Sequence, residues 1–180
     1  MLYQSGKRCN SGGTPGGLSS PFRPRCVVSI GRMPTGQAPA APAVVNTGAV
    51  AVEPRLYLQL VRDGNKPPGE SSFYSTFTGP AVYTDAKKYQ KIEFKDIENG
   101  KVDIPKESPN GYVAMVQHYF ASAWLLADGV QRELFTRKVS DNLYSVGMIT
   151  PLGNIDPGTT KAVDARLFAG PQVETMLEKL

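Results

Sequence analysis

The sequence predicts an antiparallel β-sandwich with a short C-terminal α-helix, and three observations carry that reading. Short β-compatible runs follow one another from Asn46 onward, turn signals separate them, and a clear amphipathic helical face occurs once, at the end of the chain. A length of 180 residues with 41% hydrophobic content suffices for one domain with a sizeable core.

Residues 1–44 hold seven Gly and six Pro and show neither helical nor strand period. They are expected to be a disordered Gly/Pro/Arg-rich head, with the folded domain at 45–180. No continuous apolar stretch follows the basic residues, so the head does not read as a secretory signal. Both cysteines, Cys9 and Cys26, lie in the head. A bridge between them is one alternative and two unrelated thiols the other; no disulfide framework or metal set follows.

In the domain, Leu56, Leu58 and Leu60 alternate with Tyr57, Gln59 and Val61, which predicts a strand near the centre of a sheet. The stretch RDGNKPPGES then reads as a long connection, because Asp-Gly and Pro67-Pro68 do not continue a ladder. Phe73 and Phe77 resume the apolar side. Thr84-Asp85 with Lys87-Lys88 suggests a capped single turn, followed by a short strand carrying Ile92, Phe94 and Ile97. The longest apolar stretch, Gly111 to Leu126, contains the sole Trp and the sole His. Val113, Val116, Phe120 and Trp124 recur at helical spacing, yet the aromatic and β-branched content suits two strands around a bend, and periodicity leaves both open. Leu134–Val139 and Tyr144–Ile149 form a hairpin about Ser140-Asp141-Asn142. Pro157-Gly158 marks a turn, and Thr159–Ala169 reads as a single strand with one wet face. Gly170 should end it, with Pro171 opening a helix whose Val173, Met176, Leu177 and Leu180 line one face.

The net charge of +4 divides unevenly: the head has five basic and no acidic residues, leaving fifteen basic against sixteen acidic in the rest. A nucleic-acid interface needs basic residues concentrated on a folded face, so no nucleic-acid partner is expected. The longest apolar run is sixteen residues and includes Gln117 and His118, short of what a membrane-spanning helix needs. His118 stands without a second His or a neighbouring carboxylate, and no phosphate loop, nucleophile elbow or HExxH pattern occurs. Neither a catalytic residue nor a cofactor or metal site is expected. A partly buried, hydrogen-bonded His118 at a bend is the favoured reading. The charged cluster of Asp85, Lys87, Lys88 and Lys91 beside Tyr83 and Tyr89 reads first as solvated surface and second as a contact site. The Val173, Met176, Leu177, Leu180 stripe reads as packing against the sandwich or as a partner contact.

Three blocks carry a resemblance. They are GYVAMVQHYFASAWL (Gly111 to Leu125), the stretch from Asn46 to Ile97 with TFTGPAVYT at Thr76 to Thr84, and IDPGTTKAVDARLFAGPQVETMLEKL (Ile155 to Leu180). In order and spacing they resemble the large periplasmic domain of the YidC membrane protein insertases, in the form found in β-proteobacteria. The resemblance implies that Gly111–Leu126 is strand, turn, strand. It also implies a twisted sandwich akin to the sugar-binding fold of galactose mutarotases, of which this chain would hold the later half. By the same resemblance the chain is a non-enzymatic fragment, a scaffold or contact module at the periplasmic face of the bacterial inner membrane. Its implied partners are the membrane-embedded insertase region and the Sec translocon or its accessory subunits. The head would then be an artefactual start joined to the domain. The alternative function is a stand-alone carbohydrate-binding sandwich, with Tyr83, Tyr112 and Trp124 as its platform.

Overall fold

The computed structural model describes residues 26–29, 38–40, 43–65 and 76–172. Their strands pair antiparallel throughout, in three sheets. Alternation places Leu58 and Leu60 of β4 (Arg55–Asp63) on the buried side, where they face Met148 and Val146 of β11 (Leu143–Pro151). β11 pairs in turn with β10 (Arg132–Ser140) across the expected hairpin. Its turn depends on Asn142, whose φ of 52° is the left-handed region that Asn tolerates better than most residues. The short β7 (Glu107–Ser108) completes a four-stranded sheet of order β4-β11-β10-β7. Among the described residues β4 is therefore an edge strand, whereas the alternation had suggested a central one; its outer-face Tyr57 and Gln59 are only half buried.

The second layer is six-stranded, in the order β2 (Ala38–Ala40), β13 (Ala165–Pro171), β9 (Phe120–Leu126), β8 (Tyr112–Val116), β5 (Gly79–Thr84) and β6 (Lys88–Lys91). Its centre is the stretch whose period was ambiguous, and that stretch folds as β8 (Tyr112–Val116), a tight turn and β9 (Phe120–Leu126). β-branched and aromatic content decides against helix because both strands are buried by neighbours on each side. β5 (Gly79–Thr84) lies beside β8, and β6 (Lys88–Lys91) beside β5. The capped turn expected here is the bend of the β5–β6 hairpin, with Lys88 at φ 56° and the Lys87 amide donating to the Thr84 hydroxyl at 3.3 Å. The expected strand through Ile92, Phe94 and Ile97 is instead a helix, α1 (Phe94–Glu98). Phe94 and Ile97, three apart, share the face that packs on the core. Gly100 at φ 64° closes the helix, its own amide reaching Ile97 O and the Lys101 amide reaching Asp96 O.

The segment read as one strand after Pro157-Gly158 is two, because the chain changes sheet at Val163-Asp164. β12 (Thr160–Ala162) pairs with β3 (Ala43–Asn46), and β13 (Ala165–Pro171) pairs with β9. β13 is not wet on one face: Ala165 belongs to the inner core, while Phe168, buried on the opposite face, belongs to an outer cluster. It also continues through Gly170 to Pro171, which sits in a strand and not in a first helical turn. The terminal helix and its Val173, Met176, Leu177 and Leu180 lie outside the described residues. The head, expected to lack structure, contributes β1 (Cys26–Ser29) against β3 and β2 (Ala38–Ala40) against β13. The Val27-Val28 pair has the β propensity for this, and its composition-rich surroundings hid it. Cys9 lies outside the described residues.

The two larger sheets close on one core. Leu58, Leu60, Val146 and Met148 meet Val82, Val113, Met115, Trp124 and Leu126, with Ile92 and Ile97 at the margin. Trp124 bridges the layers, its indole N–H donating to Gln59 O at 3.3 Å. A small third cluster of Val44, Leu152 and Ile155 fastens the three-stranded sheet β1-β3-β12.

Candidate functional site

Strand alternation builds a row of tyrosines on the outer face of the six-stranded sheet. Tyr83 of β5 stands directly opposite Tyr89 of β6 and Tyr112 of β8, so the three occupy one line across adjacent strands. The Tyr83 and Tyr112 rings stack at 5.3 Å between centroids, 11° from parallel. Tyr89, at the edge, is 45% exposed and presents the row to solvent. Burial raises the phenols of Tyr89 and Tyr112 above their ordinary value, so both hydroxyls stay neutral donors at physiological pH. Beside the row the same face carries Ala81, Ala114 and Ala123, whose small side chains leave room for Phe77 and Phe168 to pack over them. Lys91 places its ammonium 5.3 Å from the Phe77 ring centre.

A polar network borders the row. The Tyr83 hydroxyl donates to Asp85 at 3.3 Å, and the Asn110 side-chain amide donates to the other Asp85 oxygen at 2.6 Å. The Asp85 amide returns a bond to Asn110 Oδ1 at 3.1 Å, which also accepts from the Ser108 hydroxyl at 3.1 Å. Lys87 pairs with Asp103 at 2.5 Å. Gly111 makes this corner possible. At φ 98° it turns the chain into β8 so close to β5 that a Cβ there would lie 1.9 Å from Tyr83 O. Behind the corner Arg132, 1% exposed, spends its guanidinium on backbone carbonyls: Val130 at 3.0 Å, Gly111 at 2.6 Å, Pro109 at 3.2 Å and Ala127 at 2.7 Å. Desolvation lowers its pKa, opposed by the charge of Asp128. Four of the five donors of a rigid fork thus hold the 109–111 and 127–130 loops together.

The structure brings Tyr83 and Tyr112 together and adds Asp85 of the charged cluster and the Tyr89 beside it. It separates Trp124 from them. Trp124 faces Val113 across β8 and β9, is 1% exposed and points into the inner core, so it is not part of an outer platform. His118 sits half buried at the β8–β9 bend with its ring edge-on to Tyr119 at 4.0 Å; the hydrogen bond expected of it is missing at Nδ1. Asn110, Ser108 and Arg132 were not anticipated. Asn110-Gly111 is a visible turn signal, but a lone Arg gives no sign that it will be buried. Among the described residues no helix is long and apolar enough to cross a membrane, and no three His, Cys, Asp or Glu side chains are grouped to hold a metal ion.

The sequence matches the family described as the YidC periplasmic domain over residues 40–180, starting a few residues before the Asn46 boundary of the resemblance. A membrane protein insertase YidC of Cupriavidus necator is 57% identical over 138 residues, which are 77% of this chain and 25% of that relative. The insertase YidC of Cupriavidus metallidurans is 56% identical over 137 residues, 76% of this chain and 24% of the relative. That of a Janthinobacterium species is 53% identical over 135 residues, 75% and 24% respectively. The chain thus spans about a quarter of the length of these curated relatives. A match over residues 40–180, on a two-layer antiparallel fold, shows that the chain belongs to the YidC periplasmic-domain family, at the periplasmic face of the bacterial inner membrane.

Proposed function

We propose that the chain is a non-catalytic contact module of a membrane protein insertase, and that the tyrosine row on β6, β5 and β8 is its contact surface. The observation that carries this is the register Tyr89–Tyr83–Tyr112, an aromatic line ending at what is, among the described residues, the free edge of the sheet. Lys88 and Lys91 stand on that edge strand, and lysines at an edge discourage strand addition. A partner therefore meets side chains and not the backbone ladder. Tyrosines and a mixed rim of Asp85, Lys87 and Asp103 suit a protein surface, since aromatic rings give area and the charges give orientation. Family membership supports the membrane-embedded insertase region, the Sec translocon or its accessory subunits as the partner.

The test is a photo-reactive amino acid at Tyr89, in cells where the chain forms part of an intact insertase. Cross-links to the membrane-embedded region or a translocon subunit are expected, with the same probe at the exposed Lys161 of β12 silent. Equal labelling from both positions would refute the assignment. The stacked rings also favour one second reading, a carbohydrate platform without Trp124. In that case glycan-array binding would disappear on Tyr89→Ala and Tyr112→Ala.

A further inference from the structure

The turn between β8 and β9 departs from the rules of its own class. Gln117 donates to Phe120 O at 2.8 Å, leaving His118 and Tyr119 as a two-residue hairpin loop. Such loops favour Asn-Gly or Asp-Gly with positive φ, yet neither His118 nor Tyr119 has one. The β10–β11 hairpin, built on Asp141-Asn142 with Asn142 at φ 52°, shows that this chain uses ordinary turn chemistry elsewhere. In its place the β8–β9 tip exposes two large rings, Tyr119 at 70% and Phe120 at 58%. Local rules are broken most often where function demands it.

The tip is tied back to the end of β13 and lacks acidic residues, lysine and arginine. The His118 ring abuts Tyr119 edge-on, the Gln172 amide donates to Tyr119 O at 2.8 Å, and the Gln172 side chain donates to Phe120 O at 3.3 Å and to Gln117 O. No Asp, Glu, Lys or Arg occurs from Tyr112 to Ala127. A tip free of Asp, Glu, Lys and Arg, with a phenol beside a phenyl, matches the headgroup boundary of a bilayer, where a tyrosine keeps its hydroxyl in water and a phenylalanine enters the acyl edge. We infer that Tyr119 and Phe120 form a lipid-contacting tip that seats the domain on the outer surface of the inner membrane. This rests on the family's periplasmic location but not on the tyrosine row, which lies at the other end of β8.

Co-sedimentation of the full chain with phosphatidylcholine vesicles tests the tip, since neutral lipid removes any attraction of the basic head. Binding is expected, with the Tyr119→Ser/Phe120→Ser variant partitioning about tenfold less and Tyr89→Ser partitioning like the parent. Far-ultraviolet melting of the double variant establishes that it folds. A second variant, Phe120→Trp, guards against a folding defect: its emission should shift to the blue on adding vesicles and be quenched by bromine-labelled acyl chains, while the parent, whose Trp124 is buried, should not respond. Three results would overturn the inference. They are binding confined to vesicles containing phosphatidylglycerol, binding undiminished in the double-serine variant, and a tip that mediates self-association while Phe120→Trp emission ignores lipid. None of these would alter a cross-link from Tyr89, so the two readings fail separately.

Discussion

On its inner face the six-stranded sheet carries Val82, Val113, Met115, Trp124 and Leu126; on its outer face the intervening residues are Ala81, Tyr83, Tyr112, Ala114 and Ala123. The same strands therefore supply two surfaces of different construction. Inside, bulky side chains fill the space to the second sheet and Val82, Val113 and Met115 have no exposure at all. Outside, alanines form a shallow floor on which a few rings stand, and the Tyr row stays half open to solvent. Because the side-chain period is two, a slip of one residue would exchange the faces and expose the core. Register on this sheet is thus enforced by the inner face, which leaves the outer face free to vary for contact.

The strongest way to break this comparison is at Trp124. If it belongs wholly to the inner face, Trp124→Ala removes a bridging aromatic from between two sheets and should cost about 3–5 kcal/mol in urea denaturation. A loss below about 1 kcal/mol would return Trp124 to the outer surface. Gly111→Ala probes where the faces meet: the added Cβ collides with Tyr83 O, and the left-handed φ adds strain. A loss of about 2–3 kcal/mol is expected, with weakened hydrogen-exchange protection confined to the β5–β8 ladder. Tyr83→Ala removes a half-buried ring from the outer row and should cost only about 1–2 kcal/mol by the same urea assay. Its effect on the Tyr89 cross-link should be large, and that split between stability and contact is what distinguishes the outer face from the inner.

Much of this was legible in the residues and some was not. The β4 alternation and the Ser140–Asn142 hairpin depend on local pattern, so each could be read directly, whereas the paired strands of Gly111–Leu126 followed from the family resemblance because periodicity left helix and strand both open. Trp124 lies in the core that the longest apolar stretch was expected to build; only the alternative reading, which set it on a platform beside Tyr83 and Tyr112, fails, and for a simple reason of parity. A two-residue hairpin loop pairs even-numbered with odd-numbered residues, so Tyr112 faces Leu125 and Trp124 faces Val113. Without the loop length, Tyr112 and Trp124 look like one face. The break at Val163-Asp164 was hidden because each half finds its partner in a different sheet, and the edge position of β4 was hidden because neighbours in a sheet are set by distant segments. Arg132 and the Tyr89 row share that limit, since burial and cross-strand opposition are properties of the assembled layers.

The smallest expected effect lies at the rim of the inner layer, where α1 meets the second sheet. Glu98 accepts from the Lys138 ammonium at 2.9 Å and from the Tyr144 hydroxyl at 2.7 Å, while the Tyr144 ring packs 4.7 Å from Phe94. The Lys138 bond and then the Tyr144 bond hold the Glu98 carboxyl below its ordinary value of 4.5. A depressed carboxyl stabilises the fold wherever it is ionised in both states, so the contribution is present above pH 4.5 and is lost as pH falls through the lower folded value. The Glu98–Lys138 pair is solvent-exposed, so the change should be slight and should shrink further in salt. Urea midpoints taken across the acid range should fall less steeply in Glu98→Gln than in the parent, with Tyr144→Phe between them. An unchanged acid slope in Glu98→Gln would mean that the ties of α1 to the core are apolar alone, through Phe94 and Ile97.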